Sequence, residues 1–387
     1  MSPGARRVTF LLGAAQTLAW ASSYYLPAIL AAPIARDLGV SGALVFGAFS
    51  ASLLLSAVLG PGIGRRIDRV GGRGVLAVSS LVFASGLALL GLARSPAMLA
   101  VAFLCLGAGM SLGLYDSAFA TLGRIYGAGA RPAITGITLM AGFASTIGWP
   151  LTAWGLAHFG WRETCFGWAA AHLLLGFPLN GLGLPSVAPV ARVAGAGKPR
   201  VPFDRNMTLL SVAYALAWMV TGAMAAHLPR LLEATGATAA QAIAAGALIG
   251  PAQVVARAAE AGLLSRVHPL LSARLATIGH PLGALALGVY GGGLAASVFA
   301  VLHGLGMGVL TVARGTVPLA IFGPENYGYR LGLLGAPARI GQSVAPLLFG
   351  VLIDAWAGGA LLVSGAMCGA ALVALMLVRA TPTAAAR

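Results

Sequence analysis

Five ionisable side chains stand inside long apolar stretches of the sequence, where a charge is expensive. They are Asp116, Arg257, Glu260, Arg314 and Arg339. At the centre of a membrane helix such a residue costs about 2.5–3.5 kcal/mol on insertion scales. Residues of this kind normally face a wet cavity or a charged partner, so these five are the first candidates for solute binding or proton transfer.

A polar stripe accompanies the first of the arginines. Gln253 lies four residues before Arg257, and Glu260 lies three residues after it. In a helix this spacing places all three side chains on one face. Two interpretations stay open: Glu260 holds Arg257 in position to bind a solute, or the two form a closed ion pair that only fixes packing.

Arg339 is the single charge in its own apolar stretch. Gln342 and Ser343 follow it at helical spacing and share its face. Pro337 and the neighbouring glycines allow a bend that frees backbone carbonyls. The alternative to solute binding is that Arg339 partners an acid or these carbonyls across a helix bundle.

Asp116 is the best candidate for binding a proton, with Glu260 second. A carboxylate buried away from water favours its neutral form and can therefore take up a proton. The alternative is a permanent ion pair with Arg124, two turns further on, or with Arg314.

The composition shows what surrounds these charges. Of 387 residues, 59% are hydrophobic and only 9% are charged, whereas a soluble domain carries about 25% charged residues. Lipid must therefore cover most of the exterior. The net charge of +15 comes from arginines scattered between apolar runs, so we predict no nucleic-acid partner. The sequence has no metal-ligand spacing, cofactor motif or nucleophile–base set, so we predict neither an enzyme nor a metal site.

Twelve apolar runs are long enough to cross a membrane, which takes about 20 residues each. A proline-rich, basic gap at 185–205 separates six runs from six, and we predict a linker there between an N-terminal bundle (1–184) and a C-terminal bundle (206–387). The runs are at about 8–34, 41–64, 74–93, 97–123, 132–158, 163–184, 206–231, 239–265, 271–291, 294–322, 330–353 and 358–379.

The arginines predict the orientation of these helices. Arginine clusters alternate with loops that carry few cations, and the richer side is the cytoplasm in the positive-inside rule. Both termini are then cytoplasmic, and a bacterial inner membrane is the expected location. The basic N-terminus resembles a signal peptide, but its apolar run is too long, so we interpret it as a retained first helix.

The two halves of the chain repeat weakly. With a shift of 197 residues, Leu106–Met110 lies on His303–Met307, and Ile67–Val70 lies on Leu264–Val267. Parallel repeats of this kind occur in transporters whose solute site lies between the halves.

The loop after the second run carries the most specific motif. It resembles the signature loop of the major facilitator superfamily, Gly-x-x-x-Asp-Arg-x-Gly-Arg-Arg, and Gly160-Trp161-Arg162 resembles a second motif of that superfamily. The resemblance implies an all-α membrane fold of twelve helices in two six-helix bundles, and secondary transport by alternating access. The matching positions in the loop are Gly64, Asp68, Arg69, Gly71 and Arg73.

This loop has a physical function of its own. Gly64 and Gly71 permit a tight turn and close helix approach. Asp68 can accept hydrogen bonds from the N–H groups of a neighbouring helix start, where the helix dipole favours an anion. We predict a latch that holds in one transport state and opens in the other. The alternative is that the loop only anchors the helix ends on the cytoplasmic side through its positive charges.

The resemblance also places Arg257 and Arg339 in helices eight and eleven, which line the cavity in this superfamily. Two arginines suit a carboxylate because the guanidinium fork binds it bidentately. This layout is similar to that of the superfamily's organic-anion carriers for oxalate and monocarboxylates. Further polar and aromatic residues predicted to shape the pocket are Gln16, Tyr24, Trp218, Gln253 and Gln342; for the tyrosine, a place in an interfacial belt is an equal alternative.

The sequence thus favours a proton-coupled carrier of a small organic anion, with the bilayer, the solute and protons as partners and a monomer as the working unit. An efflux pump that exchanges drugs or metabolites for protons is the alternative. The excess of arginines over acids in the interior disfavours lipophilic cations. A third class, a receptor built on a transporter body, would bind a solute without moving it.

Overall fold

The computed structural model describes residues 2–190 and 201–380, and this part of the chain is helical without strands. In chain order the first ten α-helices are α1 (Pro3–Ser22), α2 (Pro27–Leu38), α3 (Gly42–Val70), α4 (Arg73–Gly91), α5 (Pro96–Gly113), α6 (Tyr115–Tyr126), α7 (Arg131–Ala141), α8 (Ala144–Phe159), α9 (Trp161–Ala171) and α10 (Phe177–Gly181). The remainder are α11 (Arg205–Ala234), α12 (Ala239–Ala247), α13 (Ile249–Ala261), α14 (Pro269–Tyr290), α15 (Gly292–Phe322), α16 (Tyr327–Trp356) and α17 (Gly359–Leu377).

The predicted helical membrane fold is confirmed. Among the described residues, ten helical stretches are long and apolar enough to cross a membrane. One of them, Pro96–Phe159, contains two of the predicted runs. The predicted run at 163–184 is not among the ten; its helix contains a π-helical turn at His172–Gly176. The count of twelve helices therefore stays a prediction.

Contacts divide the chain into two compact units. The first holds the described residues up to Val201 together with Gly323–Ala336, and the second holds Pro202–Phe322 together with the described residues from Pro337 onward. Helix α16 therefore belongs to both units, and the division falls at Pro337. Proline in a helix interior removes one backbone hydrogen bond, which makes this a natural point of bending. Of the predicted linker at 185–205, residues 191–200 lie outside the described part of the chain.

Each unit has its own apolar core. Phe83 and Phe103 are buried in the first, and Phe299 and Phe349 in the second. Many large apolar side chains point outward instead; Leu294, for example, is 82% exposed. A water-soluble protein would bury such residues, so this outer surface fits contact with lipid.

Arg162 ties three elements of the first unit together. Its Nη1 donates to the carbonyls of Gly91 at 2.9 Å and Ala93 at 2.6 Å, at the end of α4. Its Nη2 donates to Oδ2 of Asp37, in the last turn of α2, at 2.6 Å. A cation at a helix C-terminus also interacts favourably with the helix dipole.

Replacing Arg162 with alanine should lower the free energy of unfolding by about 1–2 kcal/mol, because two carbonyls lose a charged donor. Asp37→Asn should cost less than about 1 kcal/mol, since the ion pair is partly exposed. Thermal unfolding of both purified variants in detergent would measure the difference. Equal melting temperatures for the two variants would contradict a contribution from the carbonyl bonds.

Candidate functional site

Arg257 is buried on α13 with its charge only partly satisfied. The side chain is 5% exposed. Its Nη2 donates to Gln253 Oε1 at 3.2 Å, one turn earlier on the same helix. Within the described residues, Nε and Nη1 of this guanidinium have no hydrogen-bond partner. Glu260, three positions further along α13, is also buried. A buried guanidinium whose N–H groups lack acceptors is suited to an anionic ligand.

Helix α15 packs against α13 beside this stripe. A Cβ at Gly308 would lie 2.5 Å from the Gln253 carbonyl oxygen and 2.7 Å from Ala256 Cβ. Such close approach is possible only because Gly308 has no side chain. The predicted stripe of Gln253, Arg257 and Glu260 is therefore held next to α15.

Helices α11, α15 and α16 carry the other predicted binding residues of the second unit. The guanidinium of Arg314 lies 5.1 Å from the ring centroid of Trp218, a cation–π contact. Gln342 packs on α11, because a Cβ at Gly222 would lie 3.2 Å from its Cγ. Arg339, one turn before Ser343 on α16, is buried. Arg314, one of the five ionisable residues in apolar stretches, thus lies directly beside Trp218, a predicted pocket residue.

In the first unit, Asp116 stands just after a break in a helix. The predicted run at 97–123 is two helices, since Leu114 adopts an extended backbone conformation (φ −84°, ψ −171°) between α5 and α6. Gln16 Nε2 donates to the Gly113 carbonyl at 2.6 Å, which satisfies a group that the break releases. Asp116 lies in the first turn of α6, where the helix dipole stabilises an anion.

Aromatic rings cluster beside this break. Trp20 lies 4.8 Å from Tyr115 and 5.2 Å from Tyr24, measured between ring centroids. Tyr25 contacts Trp20 at 6.1 Å and Trp149 at 5.9 Å. Tyr24 is thus part of a packed aromatic cluster, with the predicted proton-binding residue adjoining it.

The predicted signature loop is helical up to Val70, so Asp68 lies in the last turn of α3. Its carboxylate meets the start of another helix. Its Oδ1 accepts from the Gly328 N–H and its Oδ2 from the Tyr329 N–H, both at 2.8 Å. These are the second and third residues of α16, whose first ten residues belong to the first unit. The carboxylate therefore satisfies two of the N–H groups that every helix start leaves without an intrahelical partner.

Glycines on both helices permit this contact. A Cβ at Gly64 would collide with the Gly328 carbonyl, and one at Gly332 would lie 2.6 Å from the Gly60 carbonyl oxygen. Gly60 and Gly64 are four residues apart, as are Gly328 and Gly332, which is the small-xxx-small spacing of closely packed membrane helices.

The other residues of the signature loop hold nearby segments. Arg73 Nε donates to the Gly181 carbonyl at the end of α10, at 2.5 Å. The Arg69 carbonyl accepts from the Val190 N–H at 2.9 Å, at the start of the predicted linker. Gly71 has φ +82°, a conformation that side chains disfavour.

Comparison with known families settles the class of this protein. The model of the Major Facilitator Superfamily matches residues 11–300, well over half of the 387. The chain belongs to this superfamily. No curated protein sequence matches it.

Solved structures of superfamily transporters share the fold over nearly the whole chain. The human organic anion transporter MFSD10 (TETRAN) is 17% identical, with a TM-score of 0.74 and coverage of 98% of this chain and 100% of that one. The Major Facilitator Superfamily transporter FucP in the outward conformation is 14% identical, with a TM-score of 0.79 and coverage of 96% of this chain and 99% of that one. The proton:xylose symporter XylE is 12% identical, with a TM-score of 0.71 and coverage of 98% and 96%. At such low identity the likeness shows the fold.

Several residues at these sites are not evident from the sequence alone. Gly328 and Tyr329 are not predicted as partners of Asp68, although the repeated glycine spacing on α3 and α16 is a usable signal. The bond from Gln16 to Gly113 spans 97 positions and had no local signal. The joint placement of Arg257 and Arg339 around one solute stays a prediction.

Proposed function

We propose that this superfamily member carries a small organic anion across the membrane by alternating access, with a proton as the coupling ion. One observation carries the choice of an anion: Arg257 is buried, and two nitrogens of its guanidinium have no hydrogen-bond partner among residues 2–190 and 201–380. A buried cation is costly unless an anion or hydrogen bonds compensate for it.

The chemistry of the arginine favours a carboxylate as that anion. A guanidinium presents its donors as a planar fork, which two carboxylate oxygens match. Gln253 occupies one nitrogen and leaves Nε and Nη1 available. Arg339, buried in the same unit, is the proposed second cation. In this proposal Gln342, Trp218, Gln16 and Tyr24 line the solute's path.

In this proposal, carboxyl groups bind the coupling proton. Asp116 is the first candidate and Glu260 the second, because both are buried acids in membrane-spanning segments. Asp68 is the proposed latch that stabilises one state of the transport cycle. Gly64, Arg69, Gly71 and Arg73 support its loop.

The proposed setting is the bacterial inner membrane, with both termini in the cytoplasm and the monomer as the working unit. This orientation follows from the arginine-rich loops, of which the signature loop is the richest. The proposed domain organisation is two six-helix bundles joined at 185–205.

Similarity to a named anion carrier supports the proposal. The human structure with 98% coverage of this chain is described as an organic anion transporter. The neighbours that carry fucose or xylose with protons support proton coupling in the same way.

The aromatic cluster favours a second candidate function, efflux of amphipathic compounds. Rings of Trp20, Tyr24, Tyr25, Tyr115 and Trp149 lie within about 6 Å of their neighbours. Such a surface suits flat apolar solutes. A proton antiporter for drugs or metabolites is therefore the alternative to anion transport.

Uptake by purified protein in liposomes tests the two candidates. With an imposed proton gradient, we expect labelled oxalate or lactate to enter faster than in protein-free liposomes, whereas labelled xylose should not. Export of a lipophilic dye cation in place of anion uptake would overturn the anion assignment in favour of efflux.

A further inference from the structure

Two histidines form a buried pair in the second unit that the proposed mechanism has not used. His280 on α14 and His303 on α15 face each other through their Nδ1 atoms at 2.9 Å. They are 4% and 5% exposed. Ring contacts with Phe299 enclose both, at 5.1 Å for His280 and 6.0 Å for His303. We call these two residues the histidine dyad.

Glycines bring the two helices close enough for this bond. A Cβ at Gly279 would lie 2.7 Å from the Leu302 carbonyl oxygen, and one at Gly306 would lie 2.5 Å from the Ala276 carbonyl oxygen. Each dyad histidine therefore sits beside a glycine contact point between α14 and α15. The glycine contacts between the two backbones therefore set the distance between the histidine side chains.

A serine on a third helix fixes the proton positions in the neutral dyad. Ser364 Oγ donates its only proton to the Leu361 carbonyl at 2.9 Å. Toward His280 Nε2, at 3.1 Å, it can therefore only accept. His280 then carries its proton on Nε2, and its Nδ1 must accept from the Nδ1–H of His303. The second nitrogen of His303, Nε2, is left as a lone-pair acceptor that the described residues do not use.

We propose that the histidine dyad is a proton-binding site that accepts one proton and shares it between its two rings. The proton enters at His303 Nε2, and the proton already on His303 Nδ1 moves to His280 Nδ1. The charge then resides on His280, which donates from Nδ1 to His303 and from Nε2 to Ser364. The bond between the two rings and the bond to Ser364 each keep one donor and one acceptor in both forms. A second proton would break the bond between the rings.

The proposal deepens the proposed function, because it names a proton site close to the anion-binding helix. Helix α13 meets α15 at Gly304 and again at Gly308, which flank the turn that follows His303. Arg257 lies on α13 one turn beyond Gln253, the residue that contacts Gly308. A cation on the dyad is repelled by an unneutralised arginine, whereas an anion bound to Arg257 removes that repulsion. Anion and proton should therefore favour each other's binding, as cotransport requires.

The charged surroundings are consistent with that coupling. Cations outnumber acids on the two helices of the dyad and on those packed against them, so a bound anion should strengthen proton binding. Besides the dyad, the titratable groups on these helices are Arg205, Tyr214, His227, Arg230, Glu233, Arg257, Glu260, Arg274, Tyr290, Arg314 and Cys368.

The first unit offers a matched control histidine. His172 is also buried, and its Nε2 lies 2.7 Å from Ser22 Oγ, which donates to the Leu18 carbonyl. Its Nδ1 has no hydrogen-bond partner among the described residues, so it lacks a second ring to share a proton. His172 should stay neutral under conditions in which the dyad takes up its proton.

Nitrogen NMR of histidine-labelled full-length protein in nanodiscs tests the site without any knowledge of the solute. As the pH falls from about 8 through the range in which histidine normally titrates and below it, two histidine rings should gain a single shared proton. His280→Gln and His303→Gln should each abolish that signal, and His172→Gln should leave it intact. Because either His280→Gln or His303→Gln is sufficient, the test still works if one of these variants fails to fold.

Two results would overturn the proposal. In one, both rings of the dyad stay neutral down to the lowest pH at which the protein is still folded. The other is independent protonation of both rings, with two protons bound. Because no solute is added, failure of the anion assignment in the liposome assay would leave this result unchanged, and the reverse also holds.

Discussion

Replacing Arg257 with alanine should raise the anion concentration needed for half-maximal uptake by about 10- to 100-fold. A hydrogen bond to a charged partner contributes about 1.5–3 kcal/mol, and each 1.4 kcal/mol is a factor of ten in affinity. The residue is buried on α13, so water does not replace the lost charge fully. Initial uptake rates in liposomes, measured over a range of anion concentrations, give this value.

Lysine at the same position separates charge from geometry. Arg257→Lys keeps the cation but loses the planar fork, so its uptake should lie between those of the wild type and of Arg257→Ala. If Arg257→Lys takes up the anion as well as the wild type does, the solute is not held bidentately. Arg339→Ala should show a loss similar to that of Arg257→Ala if both arginines bind the same anion.

A structural arginine provides the control for this experiment. Arg274 donates from Nε to the Leu375 carbonyl at 3.1 Å and from Nη2 to the Met376 and Val378 carbonyls at 3.2 and 3.0 Å. It caps the end of α17, so Arg274→Ala should lower the melting temperature and leave the anion concentration for half-maximal uptake unchanged. If Arg257→Ala behaves in the same way, Arg257 is a packing residue and the alternative of a closed pair with Glu260 is correct.

The membrane class and the family could be predicted from the sequence because both depend on local patterns. Runs of about 20 apolar residues need no tertiary information to be recognised. The spacing of Gly64, Asp68 and Gly71 within one short segment indicates the superfamily. The same loop predicts the kind of partner that Asp68 needs, since a carboxylate beside glycines fits a helix start.

Features that depend on contacts between distant segments could not be predicted. The break at Leu114 lies in an apolar run without a proline, and the group that supports it, Gln16, comes from α1. His280 and His303 are 23 positions apart on separate helices, so each alone is typical of a packing residue. Periodicity places side chains on a face of a helix, but it does not say which helix that face meets.

The functional roles of the candidate residues stay predictions for a related reason. The contacts fix Gln253 beside Arg257, and Trp218 beside Arg314. Transport requires at least two conformations, and the energetic weight of a contact in the cycle depends on whether it persists in both. That weight can be measured only by removing the contact.

Asp68 is the position where removal should have the clearest effect on the cycle. Asp68→Ala eliminates two charge-assisted bonds to the Gly328 and Tyr329 N–H groups. The conformation that contains them should lose about 1.5–3 kcal/mol relative to others, a shift in populations of about 10- to 100-fold. The maximal rate of transport should fall accordingly, because a carrier must visit every state in turn. The anion concentration for half-maximal uptake should change much less, since Asp68 does not bind the solute.

Spin labels at the exposed positions Arg66 and Pro324, each replaced by cysteine after removal of the native cysteines, report the population directly. Their distance distribution should broaden toward longer separations in Asp68→Ala. Asp68→Asn should fall between wild type and alanine, because the amide keeps one acceptor oxygen but loses the charge. Glu325→Gln, an exposed acid beside the same helix start, controls for a general change of charge and should leave the distances unaltered. An unaltered distribution in Asp68→Ala, together with normal uptake, would mean that the signature loop acts only as a positive anchor and that α16 stays closed on α3 without it.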